Sequence, residues 1–429
     1  MTFGCSHNQS DSEHIAGVLQ ASGYTLVDVS DSADIVVVNS CTVKGPSQES
    51  FLHLVRSLRG RMPLVVAGCV PQADQHHADL VGVSILGVQQ ISRADEAVAA
   101  TLDGMVVRFL GKEALPSLDL PVVRRNPHVE ILSINAGCLH ACAYCKTKHA
   151  RGHLRSHTIE SIVMRARRAI DDGVLEIWLT SEDVGAYGQD IGVTITDLFD
   201  ALLPVLPAPV MLRVGMANPP HIEDRIEAFA AALNHPRVYA FVHLPVQSGS
   251  DAVLAFMRRG YTVERFQSAV DGLRAMVPGV TIATDIICGY PTETEDDFAM
   301  TVSLVTRNAF PVLNISQFYP RPGTPAAALA LLPTQEVKRR SRIITGLFRS
   351  QRPYDALIGA QCDVWVTSLS DDGLWCLGHT KSYVPVLLAK DDSLVGACVR
   401  VRVVRAGKHF VEGKLLAVVA RTMPRRPVQ

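Results

Sequence analysis

No run of the 429-residue sequence is long and apolar enough to suggest a membrane span. The longest, such as Ile35–Val38 and Ala326–Leu332, fall far short of the ~18 residues needed. The segment Met1–Glu13 is polar and has no apolar h-region, so it does not read as a signal peptide. The tail Met423–Gln429 carries no anchor motif. Net charge is nearly absent: 41 Lys and Arg against 42 Asp and Glu leave −1, and no whole-chain field marks a nucleic-acid or membrane binder. Low-complexity tracts and fixed-period repeats are missing too. These absences predict a soluble, cytoplasmic protein without stable membrane association.

What is present is a globular composition. Apolar residues make up 48% and charged residues 19%, which excludes a disordered chain and allows several cores. The length predicts two to four domains. Charge is unevenly placed: Glu336–Gln429 holds 16 Lys and Arg against 8 Asp and Glu, so a basic carboxyl-terminal module joins an acidic body. Such basic ends either touch nucleic acid or form a solvated face. The ten cysteines, without a secretory signal, argue for metal binding or catalysis rather than a disulfide framework.

Hydrophobic patterning divides the chain in three. Residues 1–110 alternate strands (Ile35–Asn39, Leu64–Gly68, Val83–Gly87) with helices (Ser10–Ser22, Gln48–Arg59), predicting an α/β domain with a parallel sheet. Leu110–Asn126, with Pro116, Pro121, Arg124 and Arg125, reads as a linker. Residues 124–353 carry six strand–helix repeats, with strands at Glu130–Asn135, Glu176–Thr180, Val210–Val214, Val238–Leu244, Thr281–Ile287 and Asn314–Phe318. Six units fit a partial or complete barrel or a doubly wound sheet, and periodicity does not choose. Residues 354–421 lose helical periodicity. Short runs at Cys362–Thr367, Tyr383–Leu388, Cys398–Val404 and Leu415–Val419 predict a small antiparallel β-barrel.

The strongest chemical signal is Cys138-Leu-His-Ala-Cys142-Ala-Tyr-Cys145, a C-x3-C-x2-C run directly after a strand. Three thiolates so spaced converge on one inorganic centre. Zinc completed by His140, His149 or His153 is one reading. An iron–sulfur cube with one open iron is the other. The run resembles the radical S-adenosylmethionine (SAM) signature, with Tyr144 as its aromatic. That resemblance implies a [4Fe-4S] cluster on Cys138, Cys142 and Cys145 as the catalytic centre, with SAM on the open iron. Cys5, Cys41 and Cys69 form a second set. Each alone suits a buried core thiol. All three follow predicted parallel strands, where open α/β sheets bind ligands, and together they suit a second cluster.

The chain resembles the tRNA methylthiotransferase family over nearly its whole length. The matching runs are Thr2–Glu13, Asn39-Ser-Cys-Thr-Val43, Ala67–Gln72, Gly137–Gly152, Leu179-Thr-Ser-Glu-Asp183 and Gln317–Pro325. The resemblance implies a cluster-binding α/β domain, a radical SAM partial (β/α)6 barrel and an RNA-binding TRAM β-barrel. It also implies two [4Fe-4S] clusters, SAM, a tRNA anticodon stem-loop as substrate, an electron donor protein, and metal ligation by Cys5, Cys41, Cys69, Cys138, Cys142 and Cys145. Cys-Lys-Thr-Lys-His-Ala-Arg-Gly and Thr-Ser-Glu-Asp resemble the eukaryotic and archaeal branch, which acts on N6-threonylcarbamoyladenosine at position 37. Relatives acting on isopentenyladenosine, a radical SAM enzyme acting on protein, and a non-catalytic iron–sulfur or zinc protein that binds RNA are the other readings.

Softer expectations concern cofactor contacts. Glu182, Arg213, His243 and Gln247 fall at strand ends and suit either SAM or nucleotide contacts or structural hydrogen bonds. Gly289-Tyr-Pro-Thr-Glu-Thr294 resembles the family's glycine-rich turn near SAM, with Thr292 where a second glycine usually stands, so φ > 0 is not expected there. Tyr319 and Arg321 suit a substrate edge. Lys146, Lys148, His149, Arg151 and Arg155 read as a solvated loop or as an RNA clamp. Cys288, Cys362, Cys376 and Cys398 read as core thiols. Only Met1–Phe3 precede Gly4 where the family has a full first strand. A chain extended at that end is expected to load more iron on Cys5, Cys41 and Cys69.

Overall fold

The computed structural model describes residues 1–28, 32–42, 45–111 and 114–422, apart from the side chain of Pro46. Val43 of the second motif and the tail Met423–Gln429 lie outside the described residues. In the amino-terminal unit, β1 (Val36–Ser40), β2 (Leu64–Gly68), β3 (Ser84–Leu86) and β4 (Arg108–Phe109) pair in sequence order, all parallel. Helices α1 (Ser6–Ala21), α2 (Gly45–Leu58), α3 (Cys69–Ala73) and α4 (Ala94–Leu102) connect and cover them. The strands read as continuous apolar runs because both faces are buried. Val38, Val66 and Ile85 pack with Phe51, Leu52 and Val55 on one face. Val65, Ala67 and Leu86 pack with Ile15, Val18 and Val98 on the other. Met1–Phe3 runs beside β1, with the Phe3 and Asn39 amides bonded to the Asn39 and Met1 carbonyls at 2.9 Å.

The linker is stitched down. The Val123 amide donates to the Glu13 carbonyl at 2.9 Å, and the Arg125 amide donates to the Glu13 carboxylate at 3.1 Å. Burial pushes the Glu13 carboxyl up to about 7 despite these donors. Between its unfolded value near 4.5 and about 7 the folded chain therefore holds more protons than the unfolded one, and stability falls as pH rises through that window. Glu13→Gln is expected to remove this slope and to leave the protein more stable at pH 8, by on the order of 2–3 kcal/mol. Urea unfolding at a series of pH values checks this, and an unchanged slope refutes it.

The central unit carries β5 (Val129–Ser133), the short hairpin β6 (Asn135–Ala136) and β7 (Arg155–Ser156), then β8 (Glu176–Thr180), β9 (Met211–Val214), β10 (Phe241–His243), β11 (Thr281–Cys288) and β12 (Val312–Gln317). Its helices are α5 (Thr147–Arg151), α6 (Ile159–Asp171), α7 (Ile195–Leu202), α8 (Pro219–Glu223), α9 (Ile226–Asn234), α10 (Asp251–Phe256), α11 (Val263–Met276), α12 (Glu295–Asn308) and α13 (Thr334–Ser350). The parallel sets β5-β8-β9 and β10-β11-β12 are joined by bridges Leu212–Val238 and Met216–His243. The six long strands thus follow sequence order without reversal, which favours a barrel over a doubly wound sheet. Among the described residues β12 does not pair with β5, so the barrel is partial. Ile177, Leu179, Val242 and Ile286 face Ile162, Leu198, Phe229 and Phe266 of the outer helices in one core. The helical stretch after β9 divides at Asp224 and Arg225 into α8 and α9.

The carboxyl-terminal unit is a closed barrel, order β13-β14-β15-β17-β16, of β13 (Gln361–Leu369), β14 (Trp375–Thr380), β15 (Pro385–Ala389), β16 (Ala397–Ala406) and β17 (Val411–Arg421). Four seams are antiparallel, and β15–β17 is parallel. The turn between β14 and β15 enters the amino-terminal mouth of the central barrel. Tyr383 stacks on His379 at 4.0 Å and meets Tyr239 and Phe241 at 4.8 and 5.0 Å between ring centroids. Lys381 Nζ donates to the carbonyls of Leu233 and His235 at 2.9 Å, and Trp365 Nε1 donates to that of Pro209 at 2.7 Å. Beneath them Glu176 accepts from Tyr239 Oη and, at 2.7 Å, from Trp178 Nε1, with His379 Nδ1 at 3.8 Å. No helix among the described residues is long and apolar enough to cross a membrane.

Candidate functional site

Strand ends set the first group of thiols. Cys5 caps α1, Cys41 follows β1, and Cys69 opens α3 directly after β2. Gly68 makes this passage possible. Its φ is +92°, and a Cβ there would meet Asn39 Oδ1 at 2.1 Å. Asn8, fully buried on α1, ties the group together. It accepts from Cys5 Sγ at 3.3 Å, donates to the Ser40 carbonyl at 2.7 Å, and reaches Cys69 Sγ at 3.8 Å. A hydrogen bond to Cys41, with charge from His7 and Arg151, pulls the Cys5 thiol down to about 6, whereas burial pushes Cys69 up to about 11.

The second group stands on the loop after β6. Burial, with the Asp183 carboxylate, pushes Cys138 up to about 12, and burial raises Cys145. Arg259, itself buried, donates to Cys142 Sγ at 3.2 Å and to Tyr144 Oη at 3.4 Å, and it also holds Tyr261 Oη and Asn218 Oδ1. Lys148 Nζ binds the Leu139 and His140 carbonyls at 3.2 Å, tying α5 to the loop. The raised values mean Cys138 and Cys145 keep their protons until a cation replaces them.

Two links join the groups. Arg151 on α5 donates to Cys69 Sγ at 3.3 Å and to Asp11 at 2.6 Å, and it lies 3.2 Å from His7 Nε2. His7 Nδ1 pairs with Glu182 at 2.9 Å, and Glu182 accepts the Gly137 amide, one residue before Cys138, at 2.8 Å. The second link is Arg321, which reaches Gln48 of α2 at 3.3 Å. Burial lowers the pKa of its guanidinium, and the Cys41 and Cys145 sulfurs oppose that shift. Lys146 Nζ holds the Pro322 carbonyl at 2.6 Å.

The remaining expected residues are scattered. Tyr144 and Glu182 lie at the second loop, Glu182 with its carboxylate engaged by His7 and Gly137. Gln247 sits at a strand end with φ +78°, its amide bonded to the Asp285 carbonyl at 2.8 Å. His243 meets Asp285 at 2.9 Å beside it. Arg213 stacks its guanidinium near Trp178, Phe241 and Tyr383 at 5.0, 5.1 and 4.9 Å, inside the barrel against the carboxyl-terminal turn. Gly289 has φ +76°, and a Cβ there would meet Val337 at 2.6 Å, so α13 requires glycine at this turn. Thr292 keeps a negative φ, as expected. Arg151 departs from the expectation of a solvated loop or RNA clamp. It is 2% exposed and faces the first thiol group, because Asp11 and Glu182 supply the counter-charge that a buried guanidinium needs. Arg259 was not anticipated, and the Arg258-Arg259-Gly260 break between two helices is its only local sign. Cys288, Cys376 and Cys398 are buried among apolar side chains.

Among the described residues, the ligand atoms of His140, Asp183 and His221 lie within 4.8 Å of one another. Donors from Arg151 and Arg259 onto sulfur suit a thiolate cluster.

Comparison with known proteins gives the same outline. The family described as uncharacterized protein family UPF0004 matches residues 1–83, and the radical SAM superfamily matches residues 132–305. The threonylcarbamoyladenosine tRNA methylthiotransferase of Xenopus laevis is 49% identical over 96% of this chain and 76% of its own length. The human protein of that name is 49% identical over 96% of this chain and 73% of its own. A probable threonylcarbamoyladenosine tRNA methylthiotransferase of Methanothermobacter thermautotrophicus is 37% identical over 90% of this chain and 92% of its own. The structure of the radical SAM methyltransferase TsrM from Kitasatospora setae superposes with a TM-score of 0.54 at 14% identity, covering 74% of this chain and 72% of that one, which shows a shared fold.

Proposed function

The chain belongs to the threonylcarbamoyladenosine tRNA methylthiotransferase family, and from that premise we propose that it adds a methylthio group to C2 of N6-threonylcarbamoyladenosine at position 37 of a tRNA. The observation that carries this reading is the pair of three-thiol groups at adjoining strand ends, linked through Arg151, Glu182 and Arg321. One electron-poor, unactivated C–H bond must be opened and one sulfur delivered, and a single metal centre supplies only one of those tasks.

Cys138, Cys142 and Cys145 would hold one [4Fe-4S] cluster with SAM, and Cys5, Cys41 and Cys69 a second. Together these groups supply hydrogen abstraction by a carbon radical and delivery of a methylthio sulfur. The chain's own residues bind, orient and shield. Six thiols become thiolates and neutralise iron. Arg259 and Arg151 each place a buried cation on one sulfur, which favours the more reduced, more negative state. Arg321, bonded to Gln48, and the exposed Tyr319 suit contacts at the substrate edge. Residues 1–110 act as the cluster-binding domain, 124–353 as the radical SAM barrel and 354–421 as the RNA-binding barrel. An electron donor protein feeds the site, and the enzyme works in the cytoplasm.

The direct test is anaerobic reaction of the cluster-loaded protein with tRNA bearing threonylcarbamoyladenosine, followed by mass spectrometry of the nucleosides. The methylthio derivative of that nucleoside is expected. Product on isopentenyladenosine instead, or none with iron fully loaded, refutes the assignment. RNA binding has its own signature. Arg402 projects from β16 into solvent. Arg402→Ala is expected to weaken tRNA binding equally across sequences and to lower the salt slope by about 1. A slope equal to that of the parent protein removes this face from the interface.

A further inference from the structure

Beside the second thiol group stands a constellation that the proposed chemistry does not use. His140 lies midway between Cys138 and Cys142, Asp183 follows β8, and His221 lies on α8. Their ligand atoms all fall within 4.8 Å of one another. His140 Nε2 and His221 Nε2 are 3.0 Å apart, and His221 Nε2 is 3.5 Å from Asp183 Oδ2. A tetrahedral ion bound by nitrogen and oxygen at 2.0–2.1 Å needs donor atoms about 3.3 Å apart, and both measured edges lie close to that.

The surroundings are built to hold these atoms. The Asp183 side chain is fully buried and accepts from the Gly185 amide at 3.1 Å, the Asn218 amide at 3.1 Å and Asn218 Nδ2 at 2.7 Å. Gln189 Nε2 lies 3.0 Å from His221 Nδ1; an ion on Nε2 moves the ring proton to Nδ1, where the Gln189 amide, flipped about its terminal bond, presents its oxygen as the acceptor. Gly185 gives His221 room, because a Cβ there would lie 2.8 Å from His221 Cβ. The His221 side chain keeps 11% exposure, so a fourth position opens toward solvent.

We propose that His140, Asp183 and His221 form a mononuclear site for a divalent transition-metal ion of borderline softness, zinc foremost, separate from both thiol groups and completed by water. Two imidazoles and a carboxylate are hard enough to exclude an iron–sulfur cluster and soft enough to prefer zinc over magnesium or calcium. The ion fastens the middle of the Cys138–Cys142 segment to α8. Asn218, bonded to both Asp183 and Arg259, carries that restraint on to Cys142. The site does not depend on the identity of the tRNA substrate or on the reaction.

The test uses anaerobic, cluster-loaded protein titrated with zinc chloride by calorimetry, with zinc and iron per chain measured after dialysis. The parent protein is expected to keep about one zinc. His221→Ala should lose it with iron unchanged. Gln189→Leu, which touches no ligand-bearing backbone, should weaken zinc binding ~10–100-fold while melting as the parent does. No zinc uptake by iron-loaded parent protein overturns the proposal and leaves the two imidazoles as a hydrogen-bonded pair. Equal zinc affinity in parent, His221→Ala and Gln189→Leu overturns it by placing the ion elsewhere. Iron content, read in the same samples, reports separately on the clusters.

Discussion

Replacing Cys138, Cys142 and Cys145 together by alanine is expected to cut iron from about eight to about four per chain and to lower the methylthio nucleoside below detection. The effect is large because nothing else on that loop can take the charge. Lys148 and Arg259 are donors, and a single carboxylate, Asp183, cannot stand in for three thiolates. The mirror variant, Cys5, Cys41 and Cys69 to alanine, should lose a similar amount of iron and all product, yet still cleave SAM. Iron and sulfide analysis with nucleoside mass spectrometry reads both. If either triple variant retains the parent's iron, the two-centre reading fails, and if the mirror variant still makes product, sulfur delivery has been assigned to the wrong thiols.

The second large effect lies far from the thiols, at Glu176. Burial alone would raise this carboxyl, but hydrogen bonding and charge from His379, with Tyr239 and Trp178, hold it below its usual range. Glu176→Ala strands two buried donors and opens a hole at the mouth of the central barrel, a loss of ~3–5 kcal/mol. Glu176→Gln keeps the shape and should lose less than half of that. Because the folded value is depressed, the stabilisation is fully present above the unfolded value near 4.5 and disappears as pH falls through the folded one. The acid side of the stability curve should therefore flatten in Glu176→Gln. Trp178 and Trp365 both sit in this seam, so their fluorescence during urea unfolding reports it. A Glu176→Ala protein within ~1 kcal/mol of the parent would sink the account.

Much of this organisation is legible along the chain. Leu64–Gly68 and Glu176–Thr180 come out with the ends anticipated, because a buried parallel strand is a short β-branched apolar run bounded by turn residues. The thiols are legible because ligand spacing is local. Trp375–Thr380 escapes because Gly378 interrupts its pattern. That glycine is there for the opposing backbone, since a Cβ would meet the Trp365 carbonyl at 2.4 Å. Arg151 looks like its lysine neighbours, and Asp11 and Glu182, 140 and 31 residues away, turn it inward. Arg259 is hidden for the same reason, its partners Asn218 and Cys142 lying 41 and 117 residues upstream. Charge can be read from a sequence, but the direction a charge faces is set by partners folded in from elsewhere.

The turn lodged in the barrel mouth has a mechanical meaning. With Tyr383 stacked inside and Lys381 bolted to the carbonyls of Leu233, His235 and Val238, the small β-barrel is mounted rather than tethered. The span from its basic strands to the thiol loops is then a set length, and the molecule works as a caliper. Were RNA held by that small barrel, as we propose, only a stem of matching reach would bring a base to the thiol loops.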